Sequence, residues 1–191
     1  AAQEFLSASL LASQRAAELV EQLLAQAGMR APKKELVAPC DFLAEMVSLL
    51  ETSLSKKATL HTQLEQDAPH VLADPTQLRQ VVLNLVVNAA EAVGDRDGRV
   101  EVGASRCACG RDLLNELAPG EQLPVGDYLR IWVRDTGCGM DAETQRSILE
   151  PFFSTKRSGR GLGLSTVNGI VRAHGGALRI ESEPERGSLF E

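Results

Sequence analysis

The sequence predicts an α/β protein of the two-layer α+β kind. It expects a mixed, mostly antiparallel sheet with helices on one face, preceded by a long N-terminal helix. Three observations carry this. Helical and strand-like periods alternate along the chain. Strand-like segments near both ends come as neighbours, as in hairpins, instead of being separated by helices. The first 28 residues keep one helical period, with no Pro and no Gly before Gly28.

In that opening segment Leu6, Leu10, Ser13, Ala17, Val20, Leu24 and Ala27 recur at spacings of four and three, a heptad seam. The spacing predicts a helix that pairs with other helices; a single amphipathic helix packed on its own domain is the simpler alternative. "GMRAPKKE" (28–35) breaks it and reads as a linker. The domain boundaries expected are 1–30 for the helical piece and 31–191 for the remainder.

Asp41 is expected to cap a helix running to about Lys56, with Phe42, Met46, Leu49 and Leu50 on one face. "ATLHTQLE" (58–65) alternates as a strand does. "DPTQ" (74–77) is a helix start, with Asp74 at the N-cap and Pro75 in the first turn. That helix should reach Val93 and stop at Gly94. "RVEVGAS" (99–105) and "DYLRIWV" (127–133) read as neighbouring strands, with an irregular surface excursion between them. A short helix capped by Asp141 covers 141–149, and another runs from Leu162 to His174 before Gly175-Gly176. "ALRIESE" and "GSLFE" close the chain as a hairpin.

Composition excludes several classes of function. The 191 residues are 43 % hydrophobic and 24 % charged, ordinary for a globular chain with a proper core. The net charge of −6 disfavours general nucleic-acid binding. No apolar run is long enough to span a membrane and no signal peptide opens the chain, which points to a cytoplasmic setting, with a membrane tether in the full-length protein left open. Cys40, Cys107, Cys109 and Cys138 form no dense disulfide framework. Cys107-Ala-Cys109 is closer spaced than usual zinc pairs and has no further ligands nearby, so it reads as an incidental loop pair.

Chemistry concentrates in three stretches. On the helix 75–93, Gln80, Asn84, Asn88 and Glu91 share one stripe. Asn is a mediocre helix former, and a solvated face is better served by Glu, Lys or Gln. A carboxamide oxygen can hold Mg²⁺ without the repulsion a carboxylate feels from polyphosphate, and Asn88 is the candidate ligand. In "DTGCGM" (135–140), Asp135 stands at a strand end beside Gly137 and Gly139. Taken alone this is a plain turn. A carboxylate there also suits an exocyclic amine, which adenine offers and guanine lacks at the equivalent edge. The Asp-Thr-Gly of aspartic proteases would leave the asparagines idle. In "SGRGLGLST" (158–166) three glycines alternate just before a helix, a place for an anion on backbone N–H groups. Neither a Rossmann turn nor a P-loop fits, because no strand leads directly in and no Gly-Lys-Ser/Thr follows. Lys156, Arg157 and Arg160 beside it suit phosphate, although each singly is also a solvated loop cation.

"NLVVNAAEA" (84–92), "DTGCGM" (135–140), "EPFFSTK" (150–156) and "GRGLGLS" (159–165), in this order, resemble the N, G1, F and G2 boxes of sensor histidine kinases. The resemblance covers about 36–191, and "GLGLSTVNGIV" adds likeness to the nitrogen-regulation and hybrid kinase branch. It implies the nucleotide-binding fold shared with DNA gyrase and heat-shock chaperone ATPases, with about five strands. It implies ATP and Mg²⁺ as cofactors. Asn88 would hold Mg²⁺, with Asn84 near the phosphates. Asp135 would bind the adenine amine, with Gly137, Gly139 and Met140 shaping its pocket. Lys156, Arg160, Gly161, Leu162, Gly163 and Leu164 would form the lid over the triphosphate, anchored by Phe152 and Phe153.

The implied activity is transfer of the γ-phosphoryl of Mg-ATP to a histidine on a dimerisation helix, its own or a partner's, and then to the aspartate of a response regulator receiver domain. A homodimer is implied for the full-length protein. Asn84 stands where gyrase-like relatives carry a general-base Glu, and a carboxamide takes no proton at neutral pH, which argues against a gyrase-type ATPase. The segment 1–28 resembles the second helix of the dimerisation hairpin. His61, His70 and His174 lack the acceptor's setting, so the chain is expected to bind ATP without phosphorylating itself. The alternative from another class is a nucleotide-gated interaction module that transfers nothing.

Overall fold

A computed structural model describes residues 33–51, 58–156 and 161–191, except for the side chains of Leu49 and Glu51. The predicted helix 1–28 and the lid positions 157–160, Arg160 among them, lie outside the described residues. All described residues belong to one unit, Lys33–Glu191.

The chain runs through β1 (Glu35–Val37), α1 (Pro39–Glu51), β2 (Ala58–Leu64), β3 (Val71–Ala73), α2 (Pro75–Val93), β4 (Gly98–Cys109), α3 (Arg111–Leu117), β5 (Gly126–Asp135), α4 (Ala142–Ser147), α5 (Gly163–Ala173), β6 (Ile180–Glu183) and β7 (Gly187–Phe190). The main sheet has five strands in the order β2-β4-β5-β7-β6. Only the β2–β4 pair is parallel, so the sheet is mixed and mostly antiparallel, as the sequence predicts. A two-stranded ribbon of β1 and β3 stands apart from it.

The apolar period of α2 fixes the layering. Val81, Val82, Leu85, Val86, Ala89 and Val93 are buried along one face. They meet Val100 and Val102 of β4, Val133 of β5, Phe190 of β7 and Val167 of α5 in one core. Each such valine removed from water contributes about 1.5–3 kcal/mol. α1 adds Phe42, Leu43, Met46, Val47 and Leu50. The start of α2 is as expected: the Asp74 carboxylate accepts the N–H groups of Thr76 and Gln77 at 2.9 and 3.2 Å. His174, at the end of α5, locks the same corner. Its Nε2 accepts the Asp74 N–H at 3.0 Å, so Nδ1 carries the proton and donates to the Ile170 carbonyl at 2.8 Å. That is a structural histidine, as expected.

Several boundaries differ from the sequence reading. α1 begins at Pro39, so Asp41 lies in its first turn and does not cap it. The Ala38 carbonyl accepts the Phe42 N–H instead. The linker gives way to strand at Glu35, whose register with Ala73 shows that pairing, not local propensity, makes β1. β4 extends to Cys109 because residues 106–109 keep pairing with Asp127–Leu129 and Gly126 of β5. The excursion therefore holds strand, then the helix α3, then loop. It builds a second small core from Cys109, Leu114, Ala118 and Leu123, with Ala177 packed against it.

Candidate functional site

Four elements meet around the ends of α2 and β5. The stripe of α2 carries Asn84, Asn88 and Glu91 towards the start of α5. A Cβ placed on Gly163, the first residue of α5, would stand 3.7 Å from Asn84 Oδ1 and 3.8 Å from Asn88 Nδ2. Gly163, the last glycine of the second cluster, therefore faces the asparagines. Asn84 Nδ2 is buried and has no hydrogen-bond partner among the described residues. An orphaned buried donor costs about 1–3 kcal/mol, so its persistence fits an acceptor supplied from outside the chain.

Asp135 ends β5 and is 3 % exposed. Its Oδ1 accepts the Gly137 N–H at 2.7 Å. Burial pushes this carboxyl above the ordinary carboxylate range; the Gly137 and Ser188 N–H groups and the Lys156 charge act in the opposite direction. Lys156 Nζ contacts Asn88 Oδ1 at 3.4 Å and forms an ion pair with Glu91. The structure thus gathers Asn84, Asn88, Glu91, Asp135, Lys156 and Gly163 into one locality.

The other sequence-named positions have mainly structural surroundings. Gly137 packs on α2: a Cβ there would lie 2.5 Å from the Ala92 carbonyl carbon, and the next residue, Cys138, donates its N–H to the Ala92 oxygen at 3.0 Å. Gly139 has φ +64°, and a Cβ there would overlap the Glu183 carbonyl. Met140 donates its N–H to Ser182 Oγ at 2.8 Å, which ties the turn to β6. Gly137 and Gly139 are thus required by helix and hairpin contacts whatever ligand they also admit. Gly161 has φ +65° and lies against the Phe152 and Phe153 backbone. Leu162 caps α5, its carbonyl accepting from Thr166 N and from the Ser165 and Thr166 hydroxyls. The Leu164 side chain is buried in the core.

Phe152 is 73 % exposed at φ +70°. An ordinary core aromatic is excluded there, and side-chain burial is not what anchors this end of the lid. The backbone does so: the Phe152 N–H donates to the Gly161 carbonyl at 2.9 Å, closing the loop that contains 157–160. Neither Phe152 φ nor the Lys156–Glu91 pairing was legible in the sequence, since both depend on where the lid returns.

The asparagine stripe, the strand-end acid and the glycine-led helix over a mixed five-stranded sheet define a nucleotide-binding ATPase domain. Residues 73–191 match the family model described as "Histidine kinase-, DNA gyrase B-, and HSP90-like ATPase", and the chain belongs to that family. It is 35 % identical over 167 residues to the sensor histidine kinase ZraS of Klebsiella oxytoca, covering 82 % of this chain and 32 % of that protein. It is 35 % identical over 179 residues to the sensor kinase CckA of Brucella abortus (strain 2308), covering 93 % of this chain and 18 % of CckA. The chain therefore spans a third or less of these relatives. Among solved structures, full-length ShkA in complex with AMPPNP superposes with a TM-score of 0.73 at 25 % identity, covering 98 % of this chain and 37 % of ShkA. The nucleotide-free catalytic domain of histidine kinase ThkA superposes at 0.63 and 25 % identity, covering 83 % of this chain and 92 % of that domain.

Proposed function

We propose that this chain is the ATP-binding catalytic part of a two-component sensor histidine kinase. It transfers the γ-phosphoryl of Mg-ATP to a histidine on a dimerisation helix of a homodimer, from which a response regulator aspartate takes it. The setting we propose is cytoplasmic, where ATP is supplied; as a separate fact, no helix among the described residues is long and apolar enough to cross a membrane. The observation that carries the reading is the convergence of Asn84, Asn88 and Gly163, together with the buried, unpartnered Asn84 Nδ2.

In this mechanism Asp135 accepts a hydrogen bond from the adenine amine and selects it over guanine, whose carbonyl the carboxylate repels. Gly163 leaves the first turn of α5 open, so its N–H groups and the helix N-terminus meet the phosphates. Asn84 Nδ2 donates to a phosphate oxygen and loses its orphan status. Asn88 Oδ1 fits a magnesium ligand, a neutral hard oxygen beside the phosphate path; the metal would neutralise developing phosphate charge. Lys156 exchanges Asn88 and Glu91 for the phosphates. Neither Asn84 nor Asn88 can remove a proton, so the acceptor brings its own lone pair, as a neutral imidazole does. Gly137, Gly139 and Met140 hold the floor of the adenine pocket in place through α2 and β6. Arg160, Gly161, Leu162 and Leu164 belong to the lid, the last through its backbone.

The test supplies a phosphoacceptor hairpin in trans with γ-labelled ATP. Acid-labile, base-stable label on the hairpin histidine is expected. Tight ATP binding with no transfer to hairpins of this kinase class would overturn the kinase reading and leave a nucleotide-gated interaction module.

A further inference from the structure

Cys107 and Cys109 are two residues apart on β4, so their side chains leave the strand on the same face. The Cys109 thiol donates to Cys107 Sγ across 3.5 Å. Cys109 is 7 % exposed and packs with Leu114 and Leu123; Cys107 is half-buried. Both line an apolar cavity of about 440 Å³ that also touches Leu113, Leu117 and Tyr128. Cys107 pairs with Tyr128, seven positions before Asp135 on β5. At about 3.4 Å per residue the pair is roughly 24 Å along the strand from the nucleotide-site acid. Nothing in the proposed kinase chemistry uses it.

A thiol pair held this close is a reactive unit if the backbone allows closure. Residues two apart in an extended strand have Cα atoms about 6.7 Å apart, near the top of the 4.4–6.8 Å range that disulfides span. Closure is therefore possible but strained, and strained bridges are the ones cells reduce again readily. The strand end has room to move. A Cβ on Gly110, next in the chain, or on Gly126, paired with Cys109, would meet nothing within 4 Å.

We propose that Cys107 and Cys109 form a redox-responsive dithiol that closes reversibly to a disulfide by exchange with a low-molecular-weight disulfide of the glutathione type. The Cys107 thiolate attacks one sulfur of oxidised glutathione. The glutathione S–S bond breaks, and one glutathione thiolate leaves. Cys109 gives its proton to solvent base and attacks Cys107 Sγ of the mixed disulfide. The Cys107–Cys109 bond forms, and the second glutathione thiolate departs. Two cysteines are oxidised and one glutathione disulfide is reduced to two thiols. The order follows from access and charge: Cys107 is the more exposed and accepts the Cys109 S–H. Burial, then the Cys107 hydrogen bond, pushes the Cys109 thiol up to about 11, which makes it the resolving partner.

Arg106 and Arg111 flank the pair, so trypsin releases 107–111 as one peptide, free of Cys40 and Cys138. After treatment with oxidised glutathione the peptide should lose the mass of two hydrogens, and dithiothreitol should restore it. Cys109→Ser should stop at a stable glutathione adduct on Cys107. Cys107→Ser should leave Cys109 unmodified in the folded protein. The unmutated chain should also bind phenylarsine oxide at this peptide with one arsenic across both sulfurs, a readout that needs no variant. A peptide that stays reduced, or that carries two glutathiones in place of a bridge, would overturn the proposal, as would failure to chelate the arsenical.

Discussion

Lys156 Nζ lies 3.4 Å from Asn88 Oδ1, the oxygen proposed to hold the metal, and the same ammonium is ion-paired to Glu91. Lysine and metal cannot share that oxygen, so filling the site requires Lys156 to leave. The pair is 40 % and 52 % exposed, and exposed ion pairs contribute about 0–1 kcal/mol. Glu91→Gln should therefore tighten Mg-ATP binding by up to about 5-fold, with Lys156 freed for phosphate. Lys156→Ala should weaken binding in both backgrounds. Isothermal titration reads both; weaker binding by Glu91→Gln would show that Glu91 serves the ligand directly.

Asn88→Ala should separate metal from nucleotide. The expected result is a flattened dependence of ATP affinity on Mg²⁺ concentration, with little change in binding measured in chelator. An unchanged magnesium titration would remove Asn88 from the metal. Asn84→Ala should instead weaken binding with and without metal, since its orphaned Nδ2 is proposed to meet phosphate.

Asp135 sets stability against function. Its carboxyl is pushed up by burial, so the folded state holds the proton more tightly than the unfolded chain. Below the unfolded carboxylate range both states are protonated and the penalty vanishes. As pH rises towards the raised native value, the unfolded chain ionises first and the native state loses stability. Asp135→Asn should therefore match or exceed the parent's melting temperature at neutral pH, with the advantage fading in acid, because the amide oxygen can still accept the Gly137 N–H. ATP affinity should drop by about 1.5–3 kcal/mol, the worth of a charge-assisted bond. In the parent, affinity should start to fall at a less acidic pH than an ordinary aspartate would give. Equal titration curves for parent and variant would remove the adenine contact.

The contrast between Asp74 and Asp41 shows what was legible beforehand. Asp74 is followed by Pro75 and opens a long apolar period, so its cap follows from local chemistry. Asp41 has the same residue type, but Pro39 starts the helix earlier. The three-residue strands β1 and β3 carry no periodic signal; each exists through the other. Asn84 and Asn88 were singled out because Asn is a poor choice for a solvated helix face, and Asp135, a plain turn when taken alone, because its strand-end carboxylate beside two glycines suits an exocyclic amine. The roles of Gly137 and Gly139 as packing positions were hidden, since Ala92 and Glu183 are distant in sequence.

Gly139 and Gly163 allow packing and ligand roles to be told apart by one substitution each. Ala at 139 meets a positive φ and the Glu183 carbonyl, where the 183–187 turn is also held by the Glu185 N–H to the Cys138 carbonyl at 2.7 Å. Backbone groups cannot yield, so Gly139→Ala should destabilise by about 1–3 kcal/mol or more. That is a fall of about 2–4 °C per kcal/mol in a chain of this size, with ATP binding lost only as the fold loosens. Ala at 163 meets ordinary contact distances and sits at a helix start, where it gains up to about 0.5–1 kcal/mol over Gly. Its melting temperature should hold or rise. Its methyl would stand between the lid helix and the asparagine stripe, where the phosphates are proposed to lie, so ATP affinity should fall at least about 10-fold, beyond 1.4 kcal/mol. Thermal melts paired with nucleotide titration decide it: a Gly163→Ala protein that is stable and binds ATP as the parent does would move the phosphates away from α5.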